Sequence, residues 1–305
     1  MFSKIYSDTT LSIALTVSAA AWGLYWFPLR TFENIGITGS WSVVILNSCP
    51  LIILIPLLLL NIKNFKGLFV PTIFTSIMIG LAATLYSNSL VETTVVRGTL
   101  LFYLTPIWST IIGVLWLSEK LTKVRIVSIA LGFLGLLLLL SNGSNSEYPI
   151  NIGDLFGLLS GIFWAIGASS LNKWPKIPNI PLASLIFTFA TAFSLIFAIF
   201  FYSDPSPSFL MLNKALPTAS FWSICILLPS FYIIFSVSKY LFPGRVGILM
   251  MSEVVVAIIS AAILIPEETM NSLQWFGAIA IISAGVFEVL YGYNKETLKN
   301  ISVKK

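Results

Sequence analysis

The sequence predicts an all-α integral membrane protein of ten transmembrane helices, laid out as two inverted five-helix repeats. Three observations predict it. The composition is too apolar for water, apolar stretches of bilayer length recur ten times, and residues of one half reappear in the other at a nearly constant spacing.

Of 305 residues, 57% are hydrophobic and only 10% are charged, with a mean hydropathy of +0.94. A soluble domain carries about 25% charged residues, because water must wet its surface. A chain this apolar has lipid as its solvent. The net charge of +5 is modest and fits basic residues flanking membrane segments better than nucleic-acid binding. Cys49 and Cys225 both fall in apolar runs and read as small core residues rather than a disulfide. No histidine is present, which excludes histidine-based metal sites, acid–base catalysis and proton relays, and no cofactor is expected.

A bilayer-crossing helix needs about 20 mostly apolar residues. The ten stretches are Leu11–Leu29, Trp41–Leu60, Leu68–Leu90, Gly98–Leu117, Val124–Leu140, Leu155–Leu171, Leu182–Phe201, Phe221–Val237, Val246–Ile265 and Leu273–Tyr291. Barrel strands would be about 10 residues long with strict alternation, which these lack. Ser18-Ala19-Ala20-Ala21 looks cleavable, but the apolar stretch around it is too long for a signal peptide. With the N-terminus in the cytoplasm, fourteen of the seventeen lysines and arginines fall inside, leaving Arg30, Arg97 and Lys214 outside. That bias puts both termini on the cytoplasmic side of a bacterial-type inner membrane.

The most linker-like stretch, Ser141-Asn142-Gly143-Ser144-Asn145-Ser146, separates spans five and six. The expected organisation is therefore a first repeat over 1–141, a linker over 142–150, a second repeat over 151–293 and a basic cytoplasmic tail over 294–305. Trp22 matches Trp164, Tyr86 matches Tyr232, Arg97 matches Arg245 and Glu119 matches Glu268, at offsets drifting from 142 to 149. Five is odd, so the second repeat lies upside down relative to the first. Inverted repeats suit alternating access, since the same structure can open to either side.

The segment Tyr103-Leu104-Thr105-Pro106 through Leu117-Ser118-Glu119-Lys120-Leu121-Thr122, followed by Gly132 and Gly135, resembles the EamA-type signature of the drug/metabolite transporter superfamily. Gly153-Asp154-Leu155 with Trp164 resembles the start of that family's second repeat. The resemblance implies a ten-helix, often proton-coupled transporter with a central cavity between the repeats. One departure matters: the family usually has proline in helix nine where this chain has Glu253, the counterpart of Pro106 at offset 147. Glu253 must therefore be read on its own.

Glu253 lies seven residues past Val246, about 10 Å inside the hydrocarbon for a continuous helix. A carboxylate there costs several kcal/mol unless it faces a cavity, finds a partner or is protonated, so Glu253 is the candidate for proton coupling. The bland alternative is a protonated structural acid bonded to a neighbouring helix. Met250, Glu253, Ala257 and Ser260 share one helical face, and Tyr103, Pro106, Thr110 and Gly113 share the equivalent face on span four. Pro106 frees a backbone carbonyl and is the candidate hinge. Aromatic side chains within the spans are the other candidate lining: Trp22, Tyr25, Trp26, Tyr86, Tyr103, Trp164 and Tyr232, joined by Asn47 and more weakly Asn88. Aromatic faces attract cations, so with Glu253 they suit an amino acid, an amine or a quaternary ammonium group. Arg97 is expected near lipid headgroups or at a gate, and Glu119 and Glu268 at helix starts.

The expected partners are a small-molecule substrate, protons and membrane lipid, with no nucleic acid, in a monomer or homodimer. A channel or scramblase and a membrane-embedded enzyme are the competing readings. The enzyme would need a convergent catalytic set, and without histidine only scattered carboxylates remain. No Gly-x-x-x-x-Gly-Lys-Ser/Thr loop is present to bind ATP.

Overall fold

The computed structural model describes residues 8–65, 67–117, 123–140, 149–202, 205–237, 249–265 and 270–291. Among them every regular element is helical. The first half holds α1 (Asp8–Trp22), α2 (Trp26–Glu33), α3 (Ser40–Ser48), α4 (Leu51–Leu60), α5 (Phe69–Glu92), α6 (Val95–Phe102), α7 (Thr105–Leu117) and α8 (Lys123–Leu140). The second holds α9 (Ile152–Lys173), α10 (Asn179–Ile196), α11 (Phe209–Ser220), α12 (Leu228–Val237), α13 (Ser252–Leu264) and α14 (Ser272–Tyr291). Two π segments, Phe197–Phe201 and Phe221–Leu227, continue α10 and join α11 to α12.

Among the described residues six runs are long and apolar enough to cross a bilayer: Thr9–Glu33, Phe69–Glu92, Val95–Trp116, Ile152–Leu171, Asn179–Phe201 and Phe209–Val237. The pair α3–α4, bent by 46°, makes a seventh if it is one span. Shorter apolar helices, Ile126–Leu138, Ser252–Leu264 and Ser272–Ala284, stand where spans five, nine and ten are expected. The outer surface is itself apolar, with Leu60 80% and Leu115 79% exposed, as side chains facing acyl chains should be. Inside, hydroxyls stitch helices together: Thr75 to Ser170 at 2.6 Å, Thr84 to the Ala190 carbonyl at 3.1 Å and Ser184 to the Leu54 carbonyl at 3.0 Å. Such bonds replace the hydrophobic drive that lipid does not supply between helices.

Partnerships run mostly between the halves. The helix α9 packs on α5, α6 and α7, while α1 packs on α12 and α13. Similarly α10 lies against α3, α4 and α5, and α14 against α8.

Several spans break, and the sequence explains where. Span one turns at Gly23–Tyr25 through short bonds such as Tyr25 N–H to the Trp22 carbonyl at 2.9 Å. In span two, Pro50 has no N–H for the Leu46 carbonyl, and Ser223 supplies the missing donor at 2.7 Å. Pro229 likewise withholds a donor from Cys225, inside the second π segment.

Two expectations change. Span eight starts at Phe209 rather than Phe221, so Lys214 sits within α11 and not in an outside loop. Its flanking Asn213 and Lys214 lower the local apolarity and hide the continuation from a hydropathy count. Glu253 sits in the first turn of α13, directly after a turn at Met251, instead of two turns into an unbroken helix. The linker residues 142–148, the tail 294–305, Glu119, Arg245 and Glu268 lie outside the described residues.

Candidate functional site

The two broken spans set the site's geometry. Span four stops at Phe102, turns at Tyr103–Leu104 and resumes as α7 over Thr105–Leu117. Span nine turns at Met251 and resumes as α13 over Ser252–Leu264. These two 13-residue segments start 147 residues apart and end 147 residues apart. At the first break the N–H that Pro106 lacks would have met the Phe102 carbonyl, and the Thr105 hydroxyl donates there instead at 2.5 Å. The expected hinge position thus coincides with a real interruption of the helix.

Across the paired breaks, the Tyr103 hydroxyl lies 2.8 Å from Glu253 Oε2 and 3.1 Å from the carbonyl of Met250, its own counterpart 147 residues on. Glu253 is 6% exposed, and the Tyr86 hydroxyl borders the same carboxyl while meeting Thr99 Oγ1 at 3.3 Å. The groups that meet this carboxyl are hydroxyls, with no cation beside it among the described contacts. Span one closes the third side. Its break lays Gly23 against the backbone of Glu253, so close that an added Cβ would stand 2.5 Å from the Glu253 carbonyl oxygen.

The other expected residues distribute unevenly. Tyr25 is buried, stacks on Trp22 with ring centres 5.4 Å apart and accepts from Ser87 Oγ at 2.9 Å. Asn47 borders the same phenol and gives its own amide to the Val43 carbonyl at 3.0 Å. Trp26 donates its indole N–H to Ser260 at 3.0 Å, which ties span one to the Glu253 face of α13. Trp164 meets Phe102 edge-on at 5.9 Å and Phe235 at 6.1 Å. Tyr232 stands apart: it is 40% exposed on α12, and only its position, not a contact, relates it to Tyr86. Asn88 is fully committed to structure, bonded by Ser40 and donating to the Thr84 carbonyl at 2.8 Å.

Sequence reasoning missed Phe102. It is buried and touches Tyr86, Tyr103 and Trp164, with ring centres 4.7, 5.3 and 5.9 Å away. One more phenylalanine among 23 carries no signal, and only the break after it would have marked it. Arg97, expected near headgroups or at a gate, is buried and ion-paired to Asp154 at the start of α9 at 2.5 Å. A small cleft elsewhere, lined by Leu29, Arg30, Glu33, Gly39 and Leu90, includes none of the expected binding residues.

Residues 10–141 match the family described as "EamA-like transporter family", a family of transporters and not of enzymes. A crystal structure described only as "Crystal structure of protein" is similar in fold, with a TM-score of 0.60 at 12% identity, covering 93% of this chain and 98% of that one. No curated protein matches the sequence. The chain is a multi-pass membrane protein whose residues 10–141 are similar to the EamA-like transporter family.

Proposed function

We propose that the chain is a secondary active transporter that carries a small cationic or zwitterionic metabolite, of amino acid, amine or quaternary ammonium type, across the inner membrane by alternating access. In this reading ten helices form two inverted repeats with both termini cytoplasmic, and Glu253 takes up and releases the coupling proton. The observation that carries it is the Glu253–Tyr103 contact across two helix breaks that stand 147 residues apart. Broken helices meeting at mid-depth are where such carriers hold substrate and ion.

A buried carboxyl met by hydroxyls among the described residues has a place for positive charge, which a proton or a substrate ammonium can take in turn. The rings of Tyr86, Tyr103, Phe102 and Trp164 around it favour a cation that presents apolar substituents. The partner-swapped packing, α9 on α5–α7 and α1 on α12–α13, is what two interlocked inverted units produce.

Reconstitution into proteoliposomes tests the reading. With amino acids, amines and quaternary ammonium compounds first screened by thermal shift, a stabilising compound should show counterflow, which only a carrier supports. Glu253→Gln should fold, reach the membrane and lose proton-driven accumulation. Wild-type accumulation and pH dependence in that variant would end the coupling role of Glu253.

A further inference from the structure

The helix α6 is eight residues long and is tied at both ends. At one end Tyr103 reaches Glu253 at 2.8 Å. Six residues earlier, about 9 Å along the axis, Arg97 reaches Asp154 at the start of α9. The Asp154 carboxylate also accepts from Thr93 Oγ1 at 3.0 Å and from the Asn151 N–H at 2.9 Å. Both charged side chains are nearly enclosed, at 6% and 5% exposure, yet Pro149 and Ile150 next to them are exposed.

A buried ion pair of this kind is a poor stabiliser compared with apolar packing. Its distinctive property is two-state behaviour: paired when closed, hydrated when parted, and costly in between. Here exposed surface lies only a few residues away. Elsewhere the seam between α6 and α9 carries the edge-on contact of Phe102 with Trp164, ring centres 5.9 Å apart, and close backbone approaches. Gly157 faces the carbonyl of Gly98, where a Cβ would stand 3.2 Å away, and Gly161 faces that of Phe102, at 2.8 Å. Leu101 borders Gly157, and Thr105 and Trp108 border Gly161, at the same approaches. The break at Tyr103–Leu104 separates α6 from α7.

We propose that Arg97–Asp154 is a latch on the outer side, and that α6 is the lever linking it to the Glu253 site. Release of Tyr103 from Glu253 frees α6 to tilt about Tyr103–Leu104, and the latch then parts to admit solute. The proposal rests on the transporter reading above.

Two measurements test it, both in protein whose Cys49 and Cys225 are replaced by serine. In the first, Arg97→Cys and Asp154→Cys are bridged by a short, reducible bis-thiosulfonate and exchange is measured before bridging, after it, and after reduction. Bridging should cut exchange at least tenfold, with recovery on reduction; exchange unaffected by the bridge overturns the latch. The charge-swapped Arg97→Asp with Asp154→Arg, which should keep exchange, serves the same purpose if the cysteine pair does not fold. Loss of exchange in that swap while each protein stays folded also counts against the latch.

In the second, Thr93→Cys is labelled from outside by an impermeant maleimide. Adding Tyr103→Phe should raise the labelling rate several-fold, and an unchanged rate overturns the lever. Labelling needs no transport, so absence of exchange in the unmodified protein would sink the transporter reading while this arm still decides the lever.

Discussion

Gly23→Ala probes the contact that sets span one against the Glu253 helix. The added methyl would stand 2.5 Å from the Glu253 carbonyl oxygen, 2.9 Å from Val256 Cβ and 3.0 Å from the Ala257 nitrogen. Non-bonded atoms settle near 3.5–4.0 Å, so the helices must separate by about 1 Å or the chain must bend. Two of the three neighbours are backbone atoms, which cannot swing aside as a flexible side chain would. Overpacking of this kind costs about 1–3 kcal/mol. Against it stands the entropy alanine removes from the unfolded chain, about 0.4–1 kcal/mol where the native backbone accepts it. Overpacking wins, and the net loss is about 1–2 kcal/mol, a fall in melting temperature of roughly 2–3 °C for a chain of this length. Thermal denaturation in detergent followed by fluorescence size exclusion reads that shift. Exchange in liposomes should slow as well, because the wall facing Glu253 has moved. A melting temperature equal to or above that of the wild type would refute the close approach and the three-sided enclosure built on it.

Other changes should act through single named contacts. Tyr103→Phe removes the 2.8 Å bond to Glu253, worth about 1.5–3 kcal/mol for a bond to a charged group, and should weaken binding of the stabilising compound found by thermal shift. Asn151→Ala removes the α9 N-cap, which accepts from Gly153 at 2.8 Å, and the bond to the Glu92 carbonyl at 2.9 Å; a loss of about 1–2 kcal/mol is expected by the same melting assay. Asp154→Ala strands a buried guanidinium and should cost about 3–5 kcal/mol, read as reduced yield of monodisperse protein. Glu33→Gln, by contrast, breaks only the exposed 3.1 Å pair with Arg30 and should leave the melting temperature within error.

The membrane class and the helical content were legible because they follow from bulk apolarity, which needs no knowledge of partners. Break positions were half legible. Pro106 marked the interruption of span four, but the matching turn at Met251 has no proline or glycine and is imposed by its packing on span one and Tyr103. Glu253 stood out as an acid in an apolar run, whereas Phe102 could not stand out from its neighbours. Arg97 and Asp154 were each noticed, but a local reading assigned them separately, since nothing in the sequence says that residues 57 apart share one buried bond. Tyr232 lies within an apolar span like Tyr86, yet it is 40% exposed; matching positions do not guarantee matching environments.

The paired 13-residue segments open almost alike, with Thr105-Pro106 in one and Ser252-Glu253 in the other. Each begins with a hydroxyl residue, and the second place holds an imino acid in one and a carboxylic acid in the other. A pair built from two copies of the first would have two bends and nothing to titrate. A pair built from two copies of the second would set two carboxyls against each other at the centre of a bilayer. Only the unlike pairing sets a single acid between the two breaks, so the two segments cannot stand in for each other.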